Sequence, residues 1–196
     1  MGNYLALSEL KSALQITGGS EDDFLNLAID SSEKAIDNLC GRYFTQDGAT
    51  SARVYRAQPY YAVVGDISTD TGLVVKTDTS GDGSYDTTWT ATDYQLEPLN
   101  NLGKSIPARY IRAVGSNTFP VYGDGQAAVE VTAKWGWASV PTPVKQATLM
   151  LSSRMYGRKA SPMGVIGVGD FGPVRISRSD PDVAALLEEY RLAAVA

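Results

Sequence analysis

Several stretches of this chain carry residue types at spacings that chemistry uses. Gly167-Val168-Gly169-Asp170-Phe171-Gly172 matches G-x-G-x-x-G. A dinucleotide site needs that loop between a strand and the N-terminus of a helix, whose free amides meet the pyrophosphate. Here it runs into Pro173-Val174-Arg175-Ile176, a strand-like segment, so the spacing reads as an extended loop. Asp78, Ser80, Asp82 and Asp86 place oxygens at the spacing that opens a calcium loop, where a hard cation gathers several carboxylate and carbonyl ligands. The twelfth position, which wants a bidentate Glu, is Trp89, and both flanks read as strands; the competing reading is a polar hairpin turn. Ser8 with Lys11 and Ser31 with Lys34 fit S-x-x-K, but the companion S-D-N and K-T-G elements are missing.

No histidine occurs anywhere in the sequence. That removes the commonest general base, the Ser-His and Cys-His nucleophile pairs, and every His-containing zinc site. The single cysteine, Cys40, falls at the apolar end of a helix with no base to activate it and reads as a small buried hydrophobe. Lys134-Trp135-Gly136-Trp137 has the aromatic content of a base- or sugar-stacking surface, but its place at the end of a strand favours packing. We therefore expect no catalytic residues, no enzyme and no cofactor, with calcium at the Asp78 turn as the one alternative.

The elements that must position these residues follow from periodicity and turn chemistry. The 196 residues, 43% hydrophobic and 20% charged, suffice for an ordered core. No apolar run approaches the ~20 residues of a membrane helix. Ser8 is placed to cap a short helix, Glu9 to Gln15, that Gly18 and Gly19 interrupt. Ser20 to Asp23 resembles a capping box, and a helix follows to about Leu39. Its stripe is Leu25, Ile29, Ser32, Ile36 and Leu39, and Gly41 is its C-cap. Residues 50–136 hold short runs rich in β-branched and aromatic residues, separated by turn residues. Helix returns at Thr142-Pro143, with Val144, Ala147, Leu151 and Met155 on one face. A last helix starts at Pro181, with Val183, Leu186, Leu187, Tyr190 and Ala194 together. The fold class is therefore α+β: a helical core of N-terminal helices and two C-terminal helices, with an inserted antiparallel β region. The parts are 1–49, 50–140 and 141–196.

Charge is unevenly distributed. The net charge is −5. Residues 1–40 carry seven acids and two bases, whereas residues 141–196 carry five acids and seven bases. Ends of opposite sign suit head-to-tail contact between copies of one chain; ordinary scattered surface charge is the equal alternative. Arg154, Arg158, Lys159, Arg175 and Arg178 make residues 154–178 basic, which suits an acidic partner or transient DNA phosphate as well as helix-dipole complementation.

An ordered set of short matches runs through both ends of the chain. It includes Tyr4-Leu5, Glu9-Leu10-Lys11, Ala35-Ile36, Cys40-Gly41-Arg42 and Phe44. It resumes at Pro143-Val144-Lys145-Gln146-Ala147, Arg154, Tyr156, Arg158, Ser161-Pro162, Phe171-Gly172, Asp180-Pro181, Leu186-Leu187 and Tyr190-Arg191. This set resembles the head-to-tail adaptor (connector) proteins of long-tailed bacteriophages, of the type found in phages of actinobacteria. The resemblance implies a structural virion protein of the neck, at the head–tail interface, assembled in the host cytoplasm without membrane contact. It implies a homo-oligomeric ring, dodecameric, docked below the portal protein, extending the DNA channel to a stopper or tail-side neck protein. Carried onto this sequence, the portal- or partner-binding set is Arg154, Arg158, Lys159, Gly167, Gly169, Phe171, Arg175, Arg178, Leu186, Leu187 and Tyr190. The β insertion is longer than in the smallest adaptors, and a non-enzymatic carbohydrate- or calcium-binding β module on a helical base is the rival reading.

Overall fold

The structure is a computed structural model describing residues 4–159, 165–167, 173–175 and 181–192. It divides the chain into two compact units. One combines residues 1–44 with 140–196, and the other is 45–139. The fold is α+β, with helices in the first unit and a seven-stranded antiparallel sheet in the second.

In the helical unit, α1 spans Leu7–Leu14 and α2 Asp22–Cys40. The cap of α1 is Ala6, two residues before the expected Ser8. Ala6 has no side-chain oxygen, and the Glu9 carboxylate instead accepts the Ala6 amide at 3.1 Å, the reverse half of a capping box. Helix α1 stops at Gln15, which takes the left-handed conformation (φ 56°), before the glycines expected to break it. Helix α2 begins with Asp22 and Asp23 in its first turn, where the helix dipole favours acids. It ends at Gly41 (φ 68°), whose amide donates to the Asp37 carbonyl at 2.8 Å, as the sequence predicts.

Leu25, Ile29, Ser32 and Ile36 are buried as expected, but the stripe closes on Cys40, and Leu39 is 41% exposed. At 100° per residue both lie equally far from the centre of the stripe. The returning C-terminal segment decides between them, because the Leu192 amide donates to the Cys40 carbonyl at 2.9 Å.

Helix α3 spans Thr142–Gly157 and packs on α2. Its buried face is Val144, Ala147, Thr148 and Ser152, whereas Leu151 and Met155 are only half-buried. The apolar pattern misses this face because the α2–α3 contact is built from small and hydroxyl residues. Ser32 Oγ donates to the Ala28 carbonyl at 2.7 Å and Thr148 Oγ1 to the Val144 carbonyl at 2.8 Å. Each hydroxyl is thus satisfied by the carbonyl four residues back, and the two backbones can lie close. Leu5, Leu10, Leu25 and Ile29 form an adjoining apolar cluster, with Leu149 and Tyr156 packed on it.

The sheet unit contains β1 (Ser51–Tyr55), β2 (Ala57–Gln58), β3 (Tyr61–Thr77), β4 (Thr87–Trp89), β5 (Tyr94–Glu97), β6 (Ala108–Ala113) and β7 (Val129–Trp135). The order is β1-β7-β3-β6-β5, with β2 and β4 also paired to β3. Two runs that the sequence separates, Tyr61–Ile67 and Gly72–Thr77, are one 17-residue strand. Its first part pairs β6 and its second β7, with register shifts around Thr69 that let one strand change partners. Conversely, the run Thr87–Leu96 is two strands, because Asp93 closes a turn by accepting the Thr90 amide at 2.6 Å and its hydroxyl at 2.7 Å. Strand β7 alternates strictly, burying Val129, Val131, Ala133 and Trp135.

Candidate interaction surface

The C-terminal elements on which the resemblance places partner contacts belong to the helical unit. Beyond α3, β8 (Val165–Gly167) and β9 (Pro173–Arg175) pair antiparallel as a two-stranded ribbon. Helix α4, Pro181–Leu187, follows and passes into a single 3₁₀ turn, Glu188–Tyr190. The last helix is thus shorter than its apolar pattern, which ran to Ala194. The G-x-G-x-x-G stretch starts at Gly167, the last residue of β8, and is followed by β9 rather than by the helix N-terminus that a pyrophosphate site uses; residues 168–172 lie outside the described residues.

The basic residues divide. Lys159 is paired with Glu21 and lies 5.3 Å from the centre of the Phe24 ring. Lys145 pairs with Glu9 at 2.6 Å, and Lys11 with Asp22 at 2.6 Å. The Lys145–Glu9 and Lys159–Glu21 pairs thus join opposite charges from the two ends, which the sequence leaves open between contact of copies and ordinary surface charge, within one helical unit. Arg158 is exposed, and Arg154 is half-buried in the last turn of α3. Gly167 lies in β8 and Arg175 in β9; Gly169, Phe171 and Arg178 lie outside the described residues.

Two of the expected contact residues serve the chain's own core. Leu187 is fully buried, and the Tyr190 ring meets Phe44 edge-on at 5.7 Å. Leu186 is half-buried. An apolar face on a short C-terminal helix reads equally well as docking surface or core, and here packing beside α3 takes most of it. At the end of α3, Arg158 and Lys159 are exposed, Lys159 in its pair with Glu21.

One buried polar arrangement anchors the start of the chain. Tyr4 is 4% exposed; its hydroxyl donates to Asp37 and accepts the Phe44 amide at 2.8 Å. Burial first, then the hydrogen bond to Asp37, pushes the Tyr4 phenol far above its ordinary value. Burial also raises the Glu33 carboxyl, against the lowering effect of the Tyr4 amide that it accepts.

The remaining candidates have these surroundings. Asp78 is buried, and its carboxylate takes the amides of Gly81 at 2.7 Å, Gly83 at 2.8 Å and Ser80 at 3.1 Å. Burial pushes this carboxyl up, but the hydrogen bonds from Gly83, Gly81 and Ser80 outweigh it and hold it below the usual aspartate range. Asp78 thus organises a polar turn, with its oxygens turned to amides. Among the described residues no group of three or more Cys, Asp or Glu is arranged to hold a metal ion. Ser80 and Asp82 belong to the same turn, Asp82 accepting the Ser84 amide at 2.8 Å, and Asp86 is exposed. Trp135 and Trp137 are both buried, their indole nitrogens donating to the Ser51 carbonyl and to Asp66, so neither offers a stacking surface. Cys40 is buried, and burial raises its thiol. Among the described residues no helix is long and apolar enough to cross a membrane.

The chain is thus a helical unit interrupted in sequence by an antiparallel sheet, with a two-stranded ribbon after α3. The resemblance to head–tail connectors read from the sequence is borne out by comparison with known proteins. Residues 4–79 match the family described as Phage gp6-like head-tail connector protein. The whole fold is similar to a chain in the neck of an empty gene transfer agent (GTA) particle computed with C6 symmetry, with a TM-score of 0.55 and 20% identity over 98% of this chain and 92% of that one. It is equally similar to a chain in the virion of a native GTA particle, with a TM-score of 0.57 at the same identity and coverage. A search of curated proteins finds no match.

Proposed function

We propose that this chain is a structural adaptor in the neck of a phage-like particle, where it forms a ring that joins the head to tail-side proteins. The family match over residues 4–79, within a fold that follows a neck protein along 98% of the chain, carries the reading. The finer assignment is a twelve-membered ring docked below the portal, extending the DNA channel toward a stopper or tail-side protein. The net charge of −5 supports a channel role, because DNA must pass without being gripped by clustered Lys and Arg. The role is non-enzymatic: the chain has no histidine, and its one thiol is buried and held protonated.

The parts assigned to portal docking are the ribbon and the basic end of α3, around Arg158. Leu187 and Tyr190 support this surface from inside. The test must respect that division, since truncation after Lys159 would also remove the buried Leu187. Residues 161–179 are instead replaced by a Gly-Ser linker of equal length, and the portal complex is measured by native mass spectrometry. The helical fold should be unchanged and the portal complex lost, and Arg158→Glu should weaken the complex. A variant that still binds portal at full stoichiometry would remove the ribbon from the docking surface.

A further inference from the structure

The sheet unit contains a groove of about 400 Å³ at the β5 edge of the sheet. That volume lies within the range of small-molecule sites. Its apolar walls include Leu73 from β3 and Leu96 from β5, together with the half-buried Tyr94 ring. Polar groups come from two places. Asp70 sits where β3 shifts register, and Asn100 and Asn101 lie on the turn after β5, with Asn100 left-handed (φ 64°). Among the described residues, the side chains of Asp70, Asn100 and Asn101 make no hydrogen bond within the chain, whereas nearby Asp93, Glu97 and Gln95 all do.

We propose that this groove binds a neutral saccharide. The ligand class follows from the lining. No Lys or Arg lines it, which argues against phosphate, nucleotide or any other anion. A wholly apolar ligand would strip water from one carboxylate and two amides without replacing their hydrogen bonds. A sugar ring has one face of C–H groups to lie on Tyr94 and the leucines. Its hydroxyls donate to the Asp70 carboxylate and exchange bonds with the two amides, each of which both donates and accepts. The lining sets polar groups with no bond inside the chain beside apolar ones, as an amphiphilic ring requires.

The test uses the intact protein and saturation-transfer NMR with a panel of glucose, galactose, N-acetylglucosamine and their disaccharides. The side-chain signals of Tyr94 and Asn101 are followed in parallel. At least one sugar should give transfer and shift those signals with a millimolar dissociation constant, on the order of 1 mM. Asp70→Ala and Asn101→Ala should each weaken binding roughly tenfold without changing the melting temperature, because neither side chain holds the fold together. Silence across the panel up to about 50 mM, roughly −2 kcal/mol of binding, overturns the proposal. So does binding that survives both substitutions, or a groove that takes lysine methyl ester and no sugar, which would make Asp70 a cation site. Loss of ring or portal assembly bears only on the neck role, so the two readings fail separately.

Discussion

Replacing Tyr4 by Phe tests how the first described residues are tied into the helical unit. The ring is 4% exposed and meets Phe44 edge-on at 5.8 Å, and Phe44 in turn meets Tyr190 at 5.7 Å. Phe keeps this packing and removes only the hydroxyl. The hydroxyl makes two hydrogen bonds, one donated to the Asp37 carboxylate and one accepted from the Phe44 amide. A hydrogen bond to a charged group contributes about 1.5–3 kcal/mol, but the Asp37 side chain is 22% exposed, so water can replace part of that bond. Withdrawing the acceptor used by a buried amide costs about 1–3 kcal/mol. Together these give a loss of about 2–3 kcal/mol for Tyr4→Phe. Tyr4→Ala also removes the ring and should lose about 3–5 kcal/mol or more. Urea unfolding followed by far-UV circular dichroism measures both. A Tyr4→Phe variant within about 0.5 kcal/mol of the parent would refute the assignment to the hydroxyl. Equal losses for Phe and Ala would refute the role of the ring.

Three further outcomes follow from named contacts. Glu33→Gln should remove a loss of stability on the acid side of the pH profile: a raised carboxyl contributes stability that is full below its unfolded value and is lost as pH rises through its folded value, so the Gln variant should match or exceed the parent near neutrality. Asp78 has the opposite sign: its lowered carboxyl contributes stability above the usual aspartate range that is lost as pH falls, and Asp78→Ala should speed hydrogen exchange at the Gly81 and Gly83 amides at neutral pH. Gly65→Ala would put a Cβ at 3.3 Å from the Arg53 guanidinium, the Trp135 ring and the Tyr55 hydroxyl at once, and should cost the sheet unit about 1–3 kcal/mol in thermal unfolding.

The sequence made the helical framework readable where one strong pattern acted alone. The stripe Leu25, Ile29, Ser32, Ile36 and the Gly41 cap needed only helical periodicity and one left-handed residue. It failed where tertiary partners chose between equal options. Leu39 and Cys40 are separated by what covers the end of α2, and the α3 face turns to Thr148 and Ser152 because hydroxyls bonded to their own helix can be buried. The continuous β3 was hidden by Gly72, whose positive φ looks like a strand break but sits inside a strand that changes partners. Among the candidate contact residues, Arg158 remains on the surface, while Leu187 turned inward, since an apolar helix face does not say whether its partner lies in the same chain. The groove beside β5 had no sequence signal, because Asp70, Tyr94 and Asn101 come together only through sheet pairing and the following turn.

The neck assignment rests on assembly, so the most direct measurement is the native mass of the intact protein, alone and with its cognate portal. A closed ring, or a stoichiometric complex with portal, is expected, with twelve copies as the specific count. A monomer at all concentrations that leaves the portal mass unchanged would contradict it.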